Sequence, residues 1–146
     1  MQLSREAKLV AGITLLAVPT IMYGGITLLG MLTQGIAGFS PAQLALNDAQ
    51  WALWRAGHAH AGVWVILSLI IQMLIDATRL STPMMWLARI SAPVAAVTVS
   101  GGFFGVAFFP ACRWLLYLGG VCLFIATVLT GVGLLRNLQA SESYTS

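Results

Sequence analysis

Residues 55–80 read RAGHAHAGVWVILSLIIQMLIDATRL. Between His60 and Asp76 only Ser68 and Gln72 are polar. An apolar run of this length reads as a helix crossing a membrane, because about 20 residues at 1.5 Å each span a hydrocarbon core of roughly 30 Å. Three other stretches have the same character, so spans are expected at about 9–32, 57–77, 88–109 and 114–135. The 146-residue chain is 59% hydrophobic and 8% charged, against about 25% charged in soluble domains. The reading is an all-α integral membrane protein, a single domain over 1–146 built as a four-transmembrane-helix bundle. Spanning segments use most of the length, which leaves no room for a separate soluble domain. The net charge of +3 then reflects topology, and no nucleic-acid partner is expected.

Orientation follows from the basic residues. Arg5, Lys8, Arg79, Arg89 and Arg136 fall on one side of this map, and only Arg55 and Arg113 on the other. The positive-inside rule places both termini in the cytoplasm, in what we expect to be a bacterial inner membrane. The apolar stretch behind MQLSREAK is too long for a signal peptide and should be retained as the first span. A cysteine introduced at Gln43 should react with an impermeant thiol reagent on whole cells; labelling only after lysis would reverse the topology.

The connection between spans 1 and 2 is the longest. Ser40 before Pro41 is a helix-start signal, so an interfacial helix is expected over about 41–55. Trp51 and Trp54 are suited to the headgroup level. If this helix joins span 2 without a break, Asn47, Trp51, Trp54 and His58 share a face. The tail at 137–146 reads as short and mobile. Glycines in the spans, among them Gly102, Gly105 and Gly119, suit close helix packing. Pro19 and Pro93 should kink spans 1 and 3.

The chemistry concentrates on span 2. At about 100° per residue, His58, Gly62, Gln72 and Asp76 lie near one line. Ionisable groups in a span are costly and should face the interior with a partner. The sequence-adjacent partner for Asp76 is Arg79, giving an ion pair that closes the helix at the interface and makes Asp76→Asn a modest lesion. His60 lies about 200° from His58. On a helix the two rings point apart, His58 toward the bundle and His60 toward lipid headgroups or a partner chain; alternatively, HAH is extended and forms a clamp.

The run GHAHAGVWVILSLI, residues 57–70, resembles the span-opening histidine motif of the haem-copper oxidase and nitric oxide reductase catalytic subunits. There a histidine in such a setting holds a low-spin haem b. The resemblance covers about fifteen residues, and no histidine follows His60, so it does not extend to oxygen or nitric oxide reduction by this chain. It implies a haem ligand at His58 or His60, with Trp51 and Trp54 close by. Because one chain cannot supply two histidines to one haem, the second ligand would be Met31 or a histidine from another copy or subunit. A copper site would instead use His58, His60 and Cys112 with Met31, soft sulfur and imidazole suiting Cu(I).

Three functions are consistent with these residues. One is a small membrane-embedded haem- or metal-binding module in electron transfer or within a larger redox complex. Another is a cofactor-free accessory subunit of such a complex. The third is a proton or small-solute pathway along Gln72 and Asp76. The partners expected are the lipid bilayer and either further copies of the chain in a homo-oligomer or a larger membrane complex. No nucleophile triad, phosphate-binding glycine loop or carboxylate pair is readable.

Overall fold

The computed structural model describes residues 2–33 and 46–142, with side chains as far as 137. Four helices follow one another: α1 (Arg5–Thr33), α2 (Asp48–Ile75), α3 (Thr82–Val106) and α4 (Arg113–Glu142). A single 3-10 turn, Pro110–Cys112, joins the last two. Each of the four is long and apolar enough to cross a membrane. Pro19 and Pro93 lie within α1 and α3, as the sequence placed them.

Two boundaries differ from the sequence reading. Residues 48–55 do not form a separate interfacial helix but are the first two turns of α2; Ser40 and Pro41 lie outside the described residues. The observed start is a capping box at Asn47. Its side chain accepts from the Gln50 backbone N–H at 2.9 Å, and the Gln50 side chain accepts from the Asn47 N–H at 3.0 Å. This pairing satisfies two of the orphan donors at a helix start, which is why the chain turns there. Gln50 also donates through Nε2 to the Ala107 carbonyl at 2.7 Å, tying the start of α2 to the end of α3. At the other boundary, α4 continues to Glu142, through the first half of the expected tail. Asn137 holds this extension by donating to the Ala77 carbonyl at 2.7 Å.

The helices pack in chain order, with α3 and α4 the most intimate pair and α1 resting chiefly on α2. The α3 face explains that intimacy. Its buried residues include Ala88, Ser91, Ala92, Ala95, Ala96, Ser100 and Gly102, small side chains that let neighbouring backbones approach. A Cβ on Gly102 would lie 2.6 Å from a Leu116 methyl, and one on Gly119 would lie 2.5 Å from a Val99 methyl. In lipid, where apolar helices gain little by leaving the solvent, such van der Waals contact is the main cohesion. Ile71 of α2, Ala92 of α3 and Ala126 of α4 meet in the centre, with Leu67 packed against them. Outward positions such as Leu16, Val97 and Phe124 are largely exposed on the helix surfaces, where a bilayer would cover them.

Candidate functional site

Both histidines lie on regular α-helix, so the extended HAH clamp is not formed. The buried stripe of α2 includes Gly57, Ser68 and Ile75. At about 100° per residue, His58 and His60 flank this stripe by roughly 70–90° on opposite sides. His58 turns toward α1, where its ring fills a notch at Gly25: a Cβ there would lie 2.8 Å from Nε2 and 2.9 Å from Cε1. His60 turns toward α3. Its ring packs on Phe103 with centroids 4.7 Å apart and on Trp64 at 5.9 Å.

His60 is therefore not directed at lipid headgroups. Its Nδ1 lies 2.7 Å from the Ala56 carbonyl, and because a carbonyl only accepts, Nδ1 carries the proton. The face it shares with Leu67 and Ile71 is core: Ile71 is buried and Leu67 packs on the central cluster. Hydropathy misjudged this face because the bundle interior and the lipid are both apolar.

On the α1 side, the structure gathers much of the expected cofactor set. A cavity of about 400 Å³ has His58, Met31 and Trp54 in its wall, with Tyr23, Gly24, Thr27 and Leu28 from α1 and Phe104 from α3. Met31 is buried. Trp51 stands behind Trp54 in an edge contact at 6.3 Å, and Trp54 meets Phe104 and Phe108 the same way at 5.8 and 5.9 Å. Such a cavity has the size and lining of a small-ligand site: apolar and aromatic walls with few polar groups. Phe104, Gly24, Gly25 and Leu28 were missed by the sequence reading. A glycine pair at 24–25 on a span facing a histidine helix was the available signal.

The copper set is not assembled. His58 and His60 diverge, while the Cys112 sulfur lies against Gly105 of α3, 2.7 Å from where a Cβ would be. Among the described residues no three His, Cys, Asp or Glu side chains come together in metal-ligand geometry. Haem b fits no better in this packing. The Nε2 of His58 faces the α1 backbone at Gly25, leaving no room there for iron and a macrocycle unless α1 moves away.

The polar end of α2 is resolved differently from expectation. Asp76 pairs with Arg89 of α3, not with Arg79, which is exposed. The side chains of Arg89 and Asp76 are only 2% and 7% exposed. Asp76 also accepts from the Ser4 backbone N–H at 2.8 Å. Arg89 donates to the Ser4 hydroxyl at 3.2 Å, and Gln72, fully buried, donates to the Arg89 carbonyl at 3.0 Å. The start of α1, the end of α2 and the second turn of α3 are thus joined by one charged knot. Arg89 was the readable clue: a cation inside an apolar span requires a buried partner.

Compared with known proteins, the chain matches no family model, no curated protein and no solved structure.

Proposed function

We propose that the chain is a small membrane module whose cavity beside His58 binds a flat, largely apolar ligand drawn from the bilayer, of the redox class that the GHAHAG resemblance implies. The observation that carries this is the cavity itself, which brings His58, Met31 and Trp54 into one wall. Because the packing leaves no space for a metal at Nε2, the ligand is held by shape and by the faces of Trp54, Phe104 and Tyr23. A quinone-type ring fits that demand, since it needs no bond to a metal. His58 is the imidazole in that wall, and it supplies a polar contact at the edge of the ring. Trp51 and Phe108 back Trp54 and fix its plane.

Filling the cavity tests this reading without disturbing the fold. Gly24 lines the cavity, and a Cβ there meets nothing within 4 Å. Gly24→Phe should weaken binding of a short-chain quinone analogue to the detergent-purified protein by at least about tenfold, a loss of roughly 1.4 kcal/mol, with an unchanged melting temperature. Equal binding by both proteins would remove the cavity from consideration.

A further inference from the structure

α3 carries a proline in its interior, Pro93. Proline has no N–H, so the carbonyl four residues back, that of Arg89, loses its helical donor. Arg89 is only 2% exposed, and a buried carbonyl requires another partner. Gln72 of α2 supplies it, donating through Nε2 to the Arg89 carbonyl at 3.0 Å. The other half of the same amide, Oε1, accepts from Arg89 Nη1 at 3.5 Å. An amide fits this place because it offers a donor and an acceptor together. We infer that Gln72 is a positioning residue: by replacing the hydrogen bond that Pro93 removes, it sets the bend of α3 and, through that bend, the place of Phe104 in the wall of the cavity beside His58.

Helices bend where the i→i−4 ladder is interrupted, and the group that fills the gap fixes the angle. Here that group belongs to a neighbouring helix. The segment of α3 beyond Pro93 carries Phe103 and Phe104 to the cavity end of the bundle. Phe104 lies in the cavity wall and meets Trp54 edge-on at 5.8 Å, while Phe103 packs on His60 at 4.7 Å. From Pro93 to Phe104 is about 16 Å of helix at 1.5 Å per residue, so a change in bend of about 10° moves the ring by about 3 Å. That is close to the thickness of an aromatic ring, enough to open or close the cavity to a flat guest. The contact with α2 has no slack for such a change: a Cβ on Gly57 would lie 3.1 Å from the Phe104 ring and 3.2 Å from Phe103 Cβ. The start of α4 follows the same segment, because Leu116 fills the notch at Gly102. Gln72 itself is about 21 Å along α2 from His58, too far to touch a guest beside it. Its influence on the cavity passes through α3.

The test uses no ligand, so its outcome is independent of what the cavity binds. Gln72→Met keeps the length of the side chain and has no donor. It should lower the melting temperature of the full chain in detergent by about 5 °C, the effect of leaving a buried carbonyl without a partner. In a Pro93→Ala background, where the backbone at 93 regains its N–H, the same replacement should lower it by less than about 2 °C. Spin-label distances locate the effect. With the free Cys112 and Cys122 replaced by serine, labels at Ala52→Cys and Gly101→Cys, both exposed positions, span α2 and α3 at the cavity end. Labels at Ile70→Cys and Leu87→Cys, also exposed, span them on the knot side of Pro93. Gln72→Met should shift or broaden the first distance by about 2 Å and leave the second unchanged. An equal loss of melting temperature in both backgrounds, an unchanged distance at the cavity end, or equal shifts at both ends would overturn the assignment. If Gln72→Met does not fold alone, its folding in the Pro93→Ala background supports the assignment, and failure in both backgrounds overturns it.

Discussion

Asp76→Asn is expected to lower stability by about 3–5 kcal/mol, the cost of leaving one member of a buried ion pair without its counter-charge. Asparagine can still accept from the Ser4 N–H, but it does not neutralise Arg89, which is 2% exposed. Arg79→Ala, by contrast, should change stability by less than about 0.5 kcal/mol, as for other exposed positions. Replacing both partners, as in Asp76→Leu with Arg89→Met, should recover much of the loss, since apolar side chains of similar volume often substitute for a buried pair at little cost. Reversible unfolding in mixed detergent micelles measures all of these. A large effect at Arg79 together with a small one at Asp76 would restore the sequence-adjacent pairing and remove the knot.

The seam between α3 and α4 should be comparably sensitive. A methyl added at Gly119 would meet the Val99 side chain at 2.5 Å, the Thr98 hydroxyl at 2.6 Å and the Val99 backbone nitrogen at 3.0 Å. Backbone cannot yield as a flexible side chain can, so the helices must separate. Gly119→Ala should cost about 1–3 kcal/mol, and combination with Gly102→Ala, whose contact with Leu116 lies about one helical turn away along the same seam, should cost less than the sum because the first separation relieves the second. Gly120→Ala is the control, because a Cβ there meets nothing within 4 Å. Equal losses at Gly119 and Gly120 would mean that helix propensity, not packing, governs the seam.

How legible each part was depends on which physical signal it carried. Four long apolar runs are unmistakable, and the helices extend beyond them because polar residues at the ends, such as Gln50 of α2 and Asn137 of α4, continue the helical backbone without contributing to hydropathy. The opposed directions of His58 and His60 also follow from 100° per residue. Which neighbour each faced did not follow, because an α2 face of Trp64, Leu67 and Ile71 reads the same against lipid as against α3. The partner of Asp76 was misread for a related reason. Arg79 is three residues away in sequence, while Arg89 is brought close only by the α2–α3 turn. The cavity beside His58 depends on Gly24 and Gly25 of α1 meeting the histidine across a helix interface, which no local pattern encodes.

The central claim is that the cavity beside His58 holds a flat apolar redox ligand without a metal bond. The most direct measurement is the absorption spectrum of the purified protein before and after chemical reduction, compared with that of Gly24→Phe. The account predicts a quinone-type ultraviolet difference in the unmodified chain, its loss in Gly24→Phe, and no Soret band in either. A Soret band that disappears in His58→Ala would contradict it, showing a haem on His58 and an α1 displaced from the Gly25 notch.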